Sequence, residues 1–172
     1  MQELFVAFLT NPTPESFRAL RAVVVNSPNY DGYSQDLSDM ERALDEKRFA
    51  DVKDVFARAQ PNLLLSPRAH LLLSQALKEE GNEKASDLER FICFRCADGV
   101  TNTGDGTRAR PLVVLRTSDE YDVLNVQGKR FAGQHLVHEG GKSYDRVVCA
   151  DGSELWFDVT DMMAAMARRL NG

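Results

Sequence analysis

Apolar residues recur every three or four positions through the first hundred residues, and the rhythm then changes to short alternating runs. Leu4 to Leu9 predicts a short amphipathic helix over residues 3–10, closed by Asn11-Pro12. Pro14 stands in the first turn of a second helix, where its missing N–H costs nothing. Phe17, Leu20, Val23 and Val24 share one face of that helix. Ser27-Pro28-Asn29-Tyr30-Asp31-Gly32-Tyr33 breaks it, because a residue before proline is pushed out of the α region. From Asp36, Leu37, Met40, Ala43 and Leu44 form one stripe; Phe49, Val52, Val55, Phe56 and Ala59 form the next, ended by Gln60-Pro61. Ser66-Pro67 reads as the cap and first residue of another helix, with His70, Leu71, Leu73, Ala76 and Leu77 inward and Gly81 as its stop. A further helix from Asn82 to Ala97 turns Ala85, Leu88, Phe91 and Ile92 inward.

These helices pair. The run Ala43 to Phe49 matches Ala76 to Asn82 at a shift of 33 residues, with Arg48 against Gly81. Each run is the tail of one helix, a tight turn and the head of the next, the period of tetratricopeptide-type repeats. Two such repeats bury too little surface alone, so they must pack on the rest of the chain.

The segment from Asp98 to Pro111 is rich in glycine and asparagine and marks a boundary. Leu112 to Leu115 is a short β-branched run. Ser118 to Gln127 opens with capping residues and stops at Gly128, a short helix with Tyr121 and Leu124 on one face. Phe131 to Glu139, Ser143 to Ala150 and Ser153 to Val159 are strands separated by Gly140-Gly141 and Asp151-Gly152, strong hairpin signals. A last helix, capped by Thr160 or Asp161, carries Met162, Met163, Met166 and Leu170. The expectation is an α+β fold: tetratricopeptide-like hairpins over residues 1–98, packed as one unit on a three- to four-stranded antiparallel sheet with a terminal helix over 99–172.

Gly104-Asp105-Gly106, Glu120-Tyr121-Asp122-Val123-Leu124, Tyr144-Asp145-Arg146-Val147 and Trp156-Phe157-Asp158-Val159 follow one another in an order that resembles a bacterial domain-of-unknown-function family. Arg21, Ser27-Pro28-Asn29-Tyr30 and His70 stand where that family carries an arginine, an "SP-Y" turn and a helical histidine. Trp156 replaces a usual tyrosine, and Arg146 a usual apolar residue. The resemblance implies tetratricopeptide-like helices followed by an antiparallel sheet. It implies no activity, and it leaves export open, since many members of the family look exported.

Composition narrows the partners. The formal net charge of -5, without a block of basic residues, gives no reason to seek a phosphate backbone, so nucleic acid is not expected. No apolar run is long enough to cross a membrane. Glu3 stands where a secretory leader would carry a positive charge. Three cysteines, an odd and low count, fit a reducing compartment, and the expectation is a cytoplasmic protein.

Several constellations could carry chemistry. Cys93-Phe-Arg-Cys96 lacks a second ligand pair for zinc and sits near a helix end, where the dipole disfavours thiolate. His135 and His138, three apart on a strand, point to opposite faces. Asp98, Asn102 and Asp105 share one loop without calcium-loop spacing. His70 reads as a core histidine bonded to a backbone carbonyl or to Tyr30. Asp145 and Asp158 form the most interesting pair: a two-residue turn at Asp151-Gly152 would set them directly opposite one another, screened by an arginine, bridged by a cation, or sharing a proton. No motif calls for a cofactor or a metal.

Two readings follow. The preferred one is a non-catalytic module that binds another protein or a peptide, with Arg21, Tyr30, Asp105, Tyr121 and Trp156 as candidate contacts. The alternative is a small hydrolase-like or metal-dependent enzyme between helices and sheet, with Asp145, Asp158, His70 and Tyr144 as candidate catalytic residues.

Overall fold

The rhythm of the first half becomes six helices: α1 (Gln2–Thr10), α2 (Pro14–Val25), α3 (Asp36–Asp45), α4 (Phe49–Arg58), α5 (Pro67–Glu79) and α6 (Glu83–Thr101). The second half is β1 (Leu112–Val113), α7 (Thr117–Val126), β2 (Phe131–Glu139), β3 (Lys142–Cys149), β4 (Glu154–Asp158) and α8 (Thr160–Asn171). This computed structural model describes the backbone of residues 1–171 and the side chains of residues 1–169. Leu170, expected on the inner face of the last helix, lies outside the described side chains. The architecture is α+β, with helices first, then a four-stranded sheet and a terminal helix.

Local chemistry sets the helix starts. The Thr13 hydroxyl accepts the Ser16 N–H at 3.1 Å, the Ser66 hydroxyl that of Ala69 at 3.3 Å, and the Asn82 carbonyl oxygen that of Ala85 at 3.3 Å. Pro14 and Pro67 occupy first-turn positions.

The two hairpins α3–α4 and α5–α6 use one turn. Lys47 N–H bonds Leu44 O at 2.9 Å and Arg48 N–H bonds Ala43 O at 2.8 Å. Gly81 N–H bonds Lys78 O and Asn82 N–H bonds Leu77 O, both at 2.9 Å. This paired pattern closes a helix through one left-handed residue. That residue is Lys47 at φ 57° and Gly81 at φ 79°. Lys47, not Arg48, is therefore the counterpart of Gly81, and the repeat shift is 34 residues rather than 33. The similar charged runs at the two turns slip by one in a letter match, whereas hydrogen bonding does not.

β2, β3 and β4 form the expected antiparallel meander, in a sheet of order β1-β4-β3-β2. β1 departs from expectation: it lies parallel to β4, with Leu112 beside Phe157 and Val113 beside Asp158, so the sheet is mixed. No hairpin joins β1 to β4; α7, β2 and β3 intervene, so nothing forces an antiparallel approach.

The larger core crosses the boundary expected at residue 98. α6 continues to Thr101, so residues 98–101 are helical rather than loop. Phe8, Phe17 and Leu20 from α1 and α2, with Ile92, Cys96 and Val100 from α6, meet Leu115, Leu124, Val147, Phe157 and Met162. A second cluster around Met40, Val52, Leu63 and Leu73 fills the space between the hairpins. Val23, Leu71, Leu88 and Phe91, expected inside, are exposed by 37–56%. Stripes are read correctly only where a neighbouring element covers them, and the far side of α6 has none among the described residues.

One segment ties the two halves. Leu112 to Arg116 runs between helices and sheet, and β1 uses only one of its edges for pairing. Side chains from two helices and two loops take five of its backbone groups. The Thr103 hydroxyl accepts Val113 N–H at 2.8 Å. Arg21 donates through Nε and Nη2 to Val114 O at 3.1 and 2.9 Å. The Tyr30 hydroxyl donates to Leu115 O. Asp119 Oδ2 accepts from Leu115 N–H and Arg116 N–H, each at 3.0 Å. A buried carbonyl left without its donor costs about 1–3 kcal/mol. Tyr30→Phe is expected to lower the unfolding free energy in urea by that amount, against a change within about 0.5 kcal/mol for the half-exposed Tyr33→Phe. Lys47→Gly, which removes a side chain from a left-handed residue, is expected to raise it by about 0.5–1 kcal/mol in the same assay.

Candidate functional site

A cleft of about 630 Å³ opens where β1 and β4 end, between α2, the loop before β1 and the start of α8. Arg18 and Arg21 reach it from α2, three residues apart on one helical face. Arg21 is 4% exposed and forms the floor: the guanidinium that holds Val114 O also donates through Nη1 to Asp161 at 2.6 Å. Exposed Arg18 spans to Thr103 O at 2.8 Å. Arg110 and Lys142 complete the rim, and both are largely in solvent.

Two carboxylates face these four cations, and both are engaged. Asp158 Oδ1 accepts Thr160 N–H at 3.0 Å, and its Oδ2 lies 3.2 Å from Lys142 Nζ. Half-burial acts to raise the Asp158 pKa, but the Thr160 hydrogen bonds and Lys142 outweigh it and hold the group below its usual value. Lys142 is correspondingly held protonated by Asp158. The Thr160 hydroxyl is occupied by Ser143, accepting its N–H at 3.0 Å. Asp158, Asp161 and the Thr160 hydroxyl thus each have a partner within the chain.

The glycine-rich loop shapes the rim. Asp105 N–H and Gly106 N–H both bond Arg110 O, at 3.0 and 3.1 Å. A Cβ on Gly104 would lie 2.4 Å from the carbonyl oxygens of Arg110 and Pro111, so the loop closes only around glycine. Asp105 accepts the Thr107 N–H and hydroxyl, which lower its pKa, and lies 3.4 Å from Arg110. It orders the rim without reaching the cleft floor. Across the loop, Tyr144 and Trp156 lie on the outer sheet face with ring centroids 6.3 Å apart, and Arg108 sits 5.6 Å over the Trp156 ring.

The proposed Asp145–Asp158 pair does not exist. The β3–β4 turn holds three residues, Ala150, Asp151 and Gly152, because Cys149 N–H bonds Ser153 O at 2.8 Å. That moves the register by one: Asp158 faces Tyr144, and Asp145 faces Phe157. A slip of one residue exchanges sheet faces, so Asp145 turns into the core while Asp158 stays on the cleft side. Asp145 meets a different acid, Glu120 of α7, at 6% and 1% exposure respectively. Burial, then the charge and hydrogen bond of Asp145, raise the Glu120 pKa from 4.5 to about 10. Glu120 therefore keeps its proton at neutral pH, and Gln134 Nε2 donates to Glu120 Oε2 at 3.3 Å.

The remaining candidates are scattered. His70 is buried in the hairpins, with Nδ1 2.6 Å from Glu89 and Nε2 2.9 Å from Leu64 O; its partners are a carboxylate and a carbonyl, and Tyr30 is engaged elsewhere. The Tyr121 ring lies tilted against Phe131, centroids 5.3 Å apart, and the buried face of its helix is instead Asp119, Glu120, Val123 and Leu124. Cys93 and Cys96 are unpaired, and burial raises both thiols, Cys93 to about 11. His135 and His138 turn to opposite faces. Among the described residues, no three His, Cys, Asp or Glu side chains converge to hold a metal ion. The structure thus joins Arg21 and Asp158 in one cleft, sets Tyr144, Trp156 and Asp105 around it, and separates Asp145, His70, Tyr30 and Tyr121 from it. Arg18, Arg110, Lys142 and Asp161 escaped the sequence reading; only the Arg18–Arg21 spacing signalled one of them.

Compared with known proteins, the chain matches no family model, and no curated protein or solved structure is significantly similar to it.

The proton retained on Glu120 predicts a pH dependence. Below pH 4.5 Glu120 is protonated in both folded and unfolded chains; above it, the unfolded chain releases the proton and the folded chain retains it, up to about pH 10. Stability contributed by this group therefore falls as pH rises through that window, by up to about 1.4 kcal/mol per pH unit. Urea unfolding between pH 5 and 9 is expected to show this slope in the natural chain and a flatter profile in Glu120→Gln.

Proposed function

We propose that the chain is a non-catalytic binding module that takes an acidic peptide segment of another protein in the α2–α8 cleft. The observation that carries this is a hollow of about 630 Å³ lined by Arg18, Arg21, Arg110 and Lys142 in a chain of net charge -5. Its size lies within the range of small-ligand sites. Arg21 is preorganised by Val114 and Asp161, so a ligand carboxylate meets a fixed guanidinium rather than a mobile one. Exposed Arg18, Arg110 and Lys142 supply the adjustable contacts. Ala22, Pro111 and Val113 give apolar wall for the methylene stem of a glutamate. The overall negative charge favours a protein partner over nucleic acid.

The helical half supports the same class of function in a modified form. Its two hairpins, with equivalent turns 34 residues apart, fit a tetratricopeptide-like reading, and the motif order fits the domain-of-unknown-function family that the chain resembles. Arg68 of α5 bonds Asp122 of α7 at 2.6 Å and Glu41 of α3 at 3.2 Å. One face of the hairpins is thus taken by the chain's own α7, which is why the cleft, not a helical groove, is the proposed partner site. Three unpaired cysteines suit a cytoplasmic setting, and no described helix is long and apolar enough to cross a membrane.

Fluorescence anisotropy with a glutamate-rich peptide tests the reading, using a glutamine-substituted peptide as control. The acidic peptide is expected to bind, more weakly as salt rises. The exposed double variant Arg110→Ala/Lys142→Ala is expected to weaken binding at least tenfold, about 1.4 kcal/mol, with unchanged thermal stability. Equal binding of both peptides, or none, would reject it.

A further inference from the structure

The free edge of the sheet carries a second surface. In β3, the odd-numbered residues bond toward β4: Val159 N–H reaches Ser143 O at 3.0 Å and Cys149 N–H reaches Ser153 O at 2.8 Å. Alternation then turns Tyr144 and Arg146 toward β2, and their partners Val137 and His135 back toward β3. The backbone N–H and C=O groups of Gln134, Leu136 and His138 consequently point away from the sheet. Among the described residues no strand pairs with that edge, since β2 is last in the order.

Edge strands are normally protected by lysine, proline, inward charge or short length. β2 has nine residues, none of them buried, and contains neither lysine nor proline. From Phe131 to His138 it carries no Asp, Glu, Lys or Arg. Its one protective feature is the bulge between Phe131 and Gly133, which leaves Gly133–Glu139 regular. Apolar surface lines the same edge: Leu136 is 47% exposed and Phe131, beside Tyr121, 43%.

We infer that β2 pairs with β2 of a second copy of this chain, antiparallel about a two-fold axis, joining the two sheets into one. The strand is self-complementary. With the axis at Leu136, that residue meets its own counterpart, Gln134 meets His138, and each outward N–H faces a C=O. A two-fold contact closes on itself and needs no further subunit. Two copies of an acidic chain can approach here because the paired strands hold no like charges until Glu139 at the end. The regular part spans roughly 20 Å, which puts the interface at the small end of specific ones and its dissociation constant in the micromolar range. The cleft floor lies toward the opposite edge of the sheet, at β1 and β4, with only Lys142 of β3 on its rim and no residue of β2 in its lining.

Sedimentation velocity of the full chain, from about 1 to about 500 µM to bracket that range, is expected to show a monomer passing to a dimer. Leu136→Lys is expected to raise the dissociation constant at least tenfold, while Leu88→Lys, on the exposed far side of α6, leaves it unchanged. In the natural chain, amide exchange at Gln134, Leu136 and His138 is expected to slow as concentration rises, a readout that needs no variant to fold. A monomer throughout, a dimer that survives Leu136→Lys or dissolves with Leu88→Lys, or exchange at those amides independent of concentration would each overturn the inference.

Discussion

The buried run from Leu112 to Arg116 is the constraint on which the rest of the structure depends. It passes between two halves built on different periods, and only one of its edges has a strand to pair with. A peptide group in that position must find donors and acceptors or the fold loses several kilocalories. Thr103, Arg21, Tyr30 and Asp119 supply them from the loop after α6, from α2, from the loop after α2 and from α7. Each of those side chains is useful only if its own element is in place. The helical half and the sheet are therefore joined by hydrogen bonds as well as by one apolar core that holds Phe17 and Leu20 together with Leu115 and Phe157.

The same bonds create the cleft. Arg21 cannot hold Val114 O without its guanidinium reaching the end of the parallel strands, and there Asp161 fixes its third nitrogen. Because β1 runs parallel to β4, both strands finish on one side and α8 starts beside them. Arg21 is thereby buried and fixed at the floor, whereas Arg18, Arg110 and Lys142 reach the rim as exposed side chains. Charge in the core follows a different logic. Glu120 and Asp145 are buried on facing elements, and burial together with the neighbouring acid keeps Glu120 protonated and uncharged.

Particular residues mark what could be read in advance. Helix starts at Pro14 and Pro67 and the hairpin at Gly140-Gly141 were legible because each is decided within a few residues. The left-handed residue of the first hairpin was not, since Lys47 adopts a conformation that sequence associates with glycine and only the turn's hydrogen bonds demand it. Asp145 was misplaced for a related reason: whether the turn at Gly152 holds two residues or three rests on one hydrogen bond, and the choice decides which side of the sheet the acid faces. The exposed stripe of Leu88 and Phe91 repeats the point for helices, since periodicity states that a face is apolar but not that anything covers it.

By itself, the sequence determined the succession of helices and strands, their capping, the meander and the near-repeat of the two hairpins, because these depend on interactions between residues close in the chain. It also carried each acid, arginine and tyrosine that later matters. The tertiary structure alone decided their company: Arg21 with Asp161 across 140 residues, Glu120 with Asp145, β1 parallel to β4, and the edge of β2 left open. Those outcomes depend on sheet register and on which face of one element meets another. A change of a single residue in register reverses them, and no local pattern of side chains encodes it.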